Sequence, residues 1–128
     1  EAAKRALDAA EAEATQHKWQ MAIAVVDSGA HLVAFQRLDG TQLASIRIAQ
    51  GKARSAVEFR RPSKALEDAV AAGGAGLRLL AVPGTMPLEG GVLLVSEGKI
   101  VGAIGVSGGL SSQDAQVAQA GAAALAGR

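Results

Sequence analysis

The sequence has no cysteine, no tyrosine, one tryptophan and two phenylalanines in 128 residues. Without cysteine there is no disulfide, no thiolate nucleophile and no cysteine-based metal site. With Trp19, Phe35 and Phe59 as its only aromatics, the chain lacks the stacking platform on which RNA readers hold unpaired bases. It also lacks an excess of charge. Thirteen Lys and Arg against twelve Asp and Glu leave +1, so neither a nucleic acid nor an anionic membrane is expected as a partner. No apolar run is long enough to cross a bilayer, and Glu1–Lys18 is charged and amphipathic, unlike a secretory leader. The location expected is therefore cytoplasmic. The chain begins mid-pattern without a methionine, which leaves room for a leader or further domain before Glu1.

What the chain has in quantity is small and aliphatic. Hydrophobic residues make up 49% and there are 16 glycines, so the core is built from Ala, Val, Leu and Ile, with elements in close approach. The length suits one domain over 1–128 with its own core. Glu1–Lys18 reads as a helix with a narrow apolar face at Ala3, Leu7, Ala10 and Ala14. Met21–Val26 is apolar on both alternating faces, as in a central strand. After the turn residues Asp27-Ser28-Gly29-Ala30, His31–Arg37 returns as a strand, and alternation puts His31, Val33, Phe35 and Arg37 on one face. A helix is predicted from about Gln42 to Arg60, its buried stripe Ile46, Ala49, Ala53, Ala56 and Val57, with Lys52 beside that stripe. Pro62 stops it and Ser63 caps a shorter helix to about Ala71. Gly73–Gly76 reads as a flexible loop without the Lys-Ser/Thr of a phosphate-binding loop. Leu77–Val82 is predicted as a short strand or extended segment.

The stretch 92–125 organises the rest. Val92–Ser96 and Lys99–Val106 are two apolar runs joined by Glu97-Gly98, a hairpin turn. After Ser107-Gly108-Gly109 the period becomes helical, with Val117, Ala118, Gly121, Ala122 and Leu125 as the stripe, and Ser111 with Asp114 fits a capping box. Hairpins dominate and helices surround them, which makes an α+β domain with a mostly antiparallel sheet. Gly105–Gly109 matches G-x-S-x-G, yet both histidines lie upstream of Ser107, in the wrong order for a hydrolase triad, so this serine is expected to be structural. Glycines inside the second strand mark close approach of a helix or a ligand. The N–H groups after Gly108 and Gly109 can hold an anion at the helix start, in competition with Asp114. His31 and Arg37, bracketing two apolar residues, resemble a wall for a flat anionic ligand, or two solvated strand ends.

VVDSGAHLVAFQRLDG, IAQGKARSA, FRRPSKAL and EGKIVGAIGVSGGLSSQDAQVAQAGAAAL together resemble the GlcG/HbpS family, the haem-degrading-domain family that includes the C-terminal domain of PduO-type proteins. The likeness runs over nearly the whole chain in the family's order. One departure is Val92-Leu93-Leu94 where the family has a Leu/Ile-Pro-Ile type segment after the paired glycines. The resemblance implies a profilin-like α/β/α sandwich with a five-stranded sheet, homo-oligomers from dimer to octamer, and a small-molecule ligand. Haem or another tetrapyrrole is the ligand it favours, bound and in some members degraded. For haem iron the available donors are His31, His17, Met21 and Met86, with His31 preferred, and Arg37 and Lys52 would pair with propionates. Gly108, Gly109 and Asp114 complete the expected ligand-binding set with Arg37, Asp39 and Lys52. A different reading is a small catabolic enzyme or accessory protein acting on an organic acid, in which Arg37 binds the carboxylate and Asp39 or Asp114 handles a proton. A third is an oligomeric scaffold without ligand.

Overall fold

Two strands carry apolar or glycine residues on both faces, and they form the middle of the sheet. The computed structural model describes residues 1–126. Its elements are α1 (Ala2–Gln16), β1 (Ala22–Asp27), β2 (Leu32–Arg37), α2 (Ala44–Phe59), α3 (Ser63–Ala72), a 3-10 helix (Gly74–Ala81), β3 (Gly91–Ser96), β4 (Lys99–Ser107) and α4 (Ser111–Ala123). The sheet order is β2-β1-β4-β3, and every neighbouring pair is antiparallel. The expected α+β sandwich is present, with four strands among the described residues where five were expected. The missing strand is Leu77–Val82. That stretch coils into the 3-10 helix, where Gly76 lies so close to the Ala69 carbonyl of α3 that a side chain would collide with it. Leu77 and Leu80 stay exposed, so no sheet face claims them.

α1 and α4 cover one face of the sheet. Ala6, Leu7, Ala10 and Ala14 of α1 and Val117 and Ala118 of α4 close over Ile23, Val25, Leu94, Ile104 and Val106. Burying each of the large aliphatic chains contributes about 1.5–3 kcal/mol. α2 covers the other face, where Ala49, Ala53 and Ala56 meet Ala22, Ala24, Val26 and Ala103. Gly105 of β4 makes this approach possible. A Cβ on Gly105 would strike the Ala49 carbonyl oxygen, so close packing accounts for this glycine without a ligand. The Glu97-Gly98 tip has positive φ at both residues, 52° and 77°, as a type I′ hairpin requires.

Two caps differ from expectation. Ser63 does not cap α3; its hydroxyl donates to the Leu88 carbonyl and accepts from Gly91 N–H, fastening the loop before β3. At α4 it is Gln113 Oε1 that accepts the Leu110 N–H, while Asp114 reaches one residue further back to Gly109 N–H. Glutamine at the third helical position is the partner a capping box needs, and the side chain of Asp114 is engaged elsewhere.

Candidate functional site

The antiparallel register sorts the sequence-predicted site residues by the two ends of the sheet. Ala22 pairs with Arg37 on one side and Ser107 on the other, so these three mark one end. Asp27 pairs with Gly102 at the opposite end, beside the turn that carries His31. Arg37, Asp39, Gly108, Gly109 and Asp114 belong to the first end, and Lys52 reaches into it from α2. His31 stands alone at the second.

Lys52 lies on α2 in line with Ser45, Ala49 and Ala56, at helical spacing, and is 2% exposed. Its Nζ donates to the Val106 carbonyl at 2.9 Å and to Asp114 Oδ2 at 3.0 Å. The side chain passes beside the paired glycines before β3. A Cβ on Gly90 would sit 2.8 Å from Nζ, and one on Gly91 would meet the Lys52 backbone carbonyl. Those glycines leave room for α2 and the Lys52 stem beside the strand, and the buried ion pair joins the α2 layer to the α4 layer. Burial pushes the Asp114 carboxyl above the ordinary aspartate range, while the Lys52 charge and the Gly109 N–H pull the other way.

Gly109 N–H is used by Asp114 Oδ1 at 3.0 Å, so the backbone donor that could have met an anion there already has one. Gly108, at φ 146°, has no room for a side chain against the Gln20 carbonyl and Met21. Ser107 is 4% exposed and its hydroxyl donates to Ser45 Oγ at 3.2 Å, with no histidine beside it. Arg37 and Asp39 are both exposed, and among the described residues neither has a side-chain partner.

At the other end a β-bulge changes the expected face. The register between β1 and β2 shifts between Val25 and Val26, pairing Val25 with Ala34 and Val26 with Leu32, so Val33 is the extra residue. Phe35 packs on Ala22, Ala24 and Ala49 under α2. Val33 instead lines a recess of about 140 Å³ with Val25, Val101 and Leu125. His31 sits just before β2. Asp27 Oδ1 accepts the N–H of Gly29 at 2.9 Å and of His31 at 3.0 Å, and lies 3.3 Å from His31 Nδ1. The His31 N–H above all, and then that of Gly29, holds the Asp27 carboxyl below the ordinary aspartate range. The imidazole lies over Gly29, whose missing Cβ would be 3.0 Å from Nδ1 and Cε1.

Of the other iron donors, Met21 is fully buried, and Met86 is half-buried with its methyl against Gly51. His17 is stacked on Trp19 at 4.2 Å, with Nε2 3.2 Å from both Glu13 Oε2 and Gln116 Nε2. Sequence reasoning passed over Arg60 and Lys99, two cations near the His31 turn. Arg60 was hidden in the run Arg60-Arg61-Pro62, which reads as a helix end, and Lys99 in a hairpin start.

Comparison with known proteins gives a consistent result. Protein GlcG of Escherichia coli is 42% identical over 99 residues, covering 77% of this chain and 72% of that one. The crystal structure of a double mutant of Streptomyces reticuli HbpS matches with a TM-score of 0.89 and 34% identity, over 97% of this chain and 84% of that one. A crystal structure described as a PduOC:heme complex matches with a TM-score of 0.87 and 27% identity, over 96% and 91%. The model of the family described as haem degrading protein HbpS-like matches residues 1–123. By these matches and by its fold, the chain belongs to the HbpS-like family.

Proposed function

We propose that this protein binds a small ligand at the His31 end of its sheet, that the ligand is haem, and that it does so as a homo-oligomer. The observation that carries the reading is the likeness, over 96% of the chain, to a protein solved with haem. The residues of that end suit such a ligand. The His31 side chain is 81% exposed, and its Nδ1 faces Asp27 Oδ1, which leaves Nε2 outward; metal-binding imidazoles are commonly set in this way by a carboxylate. Leu32 and Val33, each about half exposed, give an apolar shoulder beside it. Haem would supply the redox and oxygen chemistry of its iron; the chain supplies the donor, the apolar contact and the orientation.

The recess beside Val33 does not by itself enclose a porphyrin. The recess lined by Val33 and Val101 is about 140 Å³, against about 300–1,000 Å³ for typical small-molecule sites. Exposed Leu32, Val33 and Val101 are apolar surface that a second copy would cover. The test is a hemin titration followed by the Soret band, with light scattering on the same samples. His31→Ala abolishes or blue-shifts the band and leaves the oligomer intact, whereas His17→Ala changes neither. A Soret band indifferent to His31→Ala refutes this site, and a stable monomer at micromolar concentration refutes the assembly. Absence of any Soret shift in the unmutated protein transfers the reading to a small organic acid.

A further inference from the structure

The hairpin tip, the end of α2 and the Asp27–His31 turn meet around a cleft of about 390 Å³ lined by Ser28, Val57, Arg60, Gly98, Lys99 and Ile100. Val57 and Ile100 are its apolar residues, and Ser28, Arg60 and Lys99 bring a hydroxyl, a guanidinium and an ammonium to it. Among the described residues no carboxylate side chain lines it. Three exposed cations are matched within their own helix, Lys4 by Asp8, Arg54 by Glu58 and Lys64 by Asp68, while others, Arg37 among them, have no ion pair among the described residues. Arg60 and Lys99 have no such partner among the described residues.

We infer that this cleft is a carboxylate-binding subsite, in which Arg60 and Lys99 hold an anionic group of the ligand and the Ser28 hydroxyl donates a further hydrogen bond. This rests on the ligand-binding reading above and extends it, because Ser28 belongs to the same turn as His31. Either haem propionates or a free organic acid would present that chemistry. Guanidinium and ammonium groups bind carboxylates by charge-assisted hydrogen bonds.

The backbone bears on the same point. Arg60 follows the last turn of α2 in the left-handed region, at φ 56° and ψ 40°, a position where glycine is the usual residue and other side chains cost about 1–2 kcal/mol. Among the described residues Ala30, in the Asp27–His31 turn, also has positive φ, at 67°, whereas the positive φ of Glu97 belongs to the type I′ turn itself. Such outliers gather at binding sites, where the side chain kept outweighs the strain. The negative end of the α2 dipole opposes an anion here, yet its effective charge is only about half a unit against two full positive charges.

The test uses the full chain with three probes: hemin, hemin dimethyl ester, whose carboxylates are blocked, and succinate. Arg60→Gly removes the side chain while easing the backbone, and Lys99→Ala lies on an exposed strand start, so the double variant is expected to fold. Hemin affinity falls at least about tenfold in it while the ester binds both proteins alike, the loss expected when charge-assisted contacts are removed. If the natural source is a free acid, millimolar succinate shifts the amide resonances of Ser28, Gly98 and Lys99 in the native chain and not in the double variant. Hemin bound equally by both proteins, with no succinate shifts, overturns the subsite and leaves the haem reading standing. Succinate shifts without a Soret change overturn haem and keep the subsite. Binding of none of the three overturns both.

Discussion

Replacing Asp114 with alanine tests the buried pair that joins the two helical layers. The variant loses two things. The Gly109 N–H loses its acceptor at 3.0 Å, a loss comparable to that of a helix cap, about 0.5–2 kcal/mol. The larger effect is on Lys52, whose side chain is 3% exposed and whose Nζ would keep only the Val106 carbonyl as a partner. Leaving one member of a buried pair uncompensated costs about 3–5 kcal/mol. For a chain of this length, that is a fall in Tm of roughly 10–20 °C. The comparison that isolates the pair is a double-mutant cycle, with Lys52→Met and Asp114→Ala made singly and together and stability read from urea unfolding. Lys52→Met in the Asp114→Ala background should recover most of the loss, because the stranded ammonium is gone and the stem still fills its channel beside Gly90. The recovery appears as a coupling of about 2 kcal/mol or more, above the scatter of independent sites. Additive single effects, or an Asp114→Ala cost near that of an exposed cap alone, would refute the argument.

Further outcomes follow from other contacts. Because Asp27 is held below the ordinary aspartate range, its contribution to stability is present above that range and lost as pH falls through the lowered value. Asp27→Asn should therefore be less stable than the native chain at neutral pH and approach it as pH falls below the ordinary aspartate range, read in urea midpoints; a gap independent of pH would contradict this. Ser107→Ala should cost about 0.5–1.5 kcal/mol for one internal hydrogen bond, and Ser107 should not react with a fluorophosphonate probe. Labelling of Ser107 would overturn the structural assignment. Gly105→Ala should cost at least about 1–3 kcal/mol, because the new methyl drives α2 from the sheet. Gly98→Ala, with open space around it and only φ 77° against it, should cost about 1 kcal/mol. Equal midpoints for the two glycine variants would show that close packing does not set the layer spacing.

The layered fold was legible because its signals are local. MAIAVV and the Lys99–Val106 run are apolar on both faces, and Glu97-Gly98 is turn chemistry between them. Leu77–Val82 was misread because a short apolar run has no decisive period, and here proximity to α3, not pairing, sets its shape. The face shared by His31, Val33, Phe35 and Arg37 failed for a different reason: one bulged residue inverts the alternation beyond it, and nothing in LVAFQR signals the bulge. Lys52 could have been placed inside. It follows Ser45 and Ala49 at spacings of seven and three, within the arc that α2 buries, and a charge in that arc demands a partner. That the partner is Asp114 depends on how the chain turns after β4, which no local pattern specifies. Arg60 and Lys99 come together for a similar reason, since only the sheet register brings the hairpin tip beneath the end of α2.

The ion pair also makes the molecule mechanically lopsided. Lys52, Asp114, Ser63 and the loop into β3 fasten the helical layers at one end of the strands. At the other end no such buried ion pair is found among the described residues; Val26, Ala30 and Val57 pack there beneath exposed turns and a hairpin tip. Thermal opening should therefore proceed like a clasped book, with amides near Val106 and Gly91 exchanging only on global unfolding and those near Gly29 and Gly98 exchanging through small local excursions. A ligand bridging the Asp27–His31 turn and the Arg60–Lys99 cleft would act as the second clasp. Slower exchange at that end, without change at the first, would then be a record of occupancy that owes nothing to the ligand's colour.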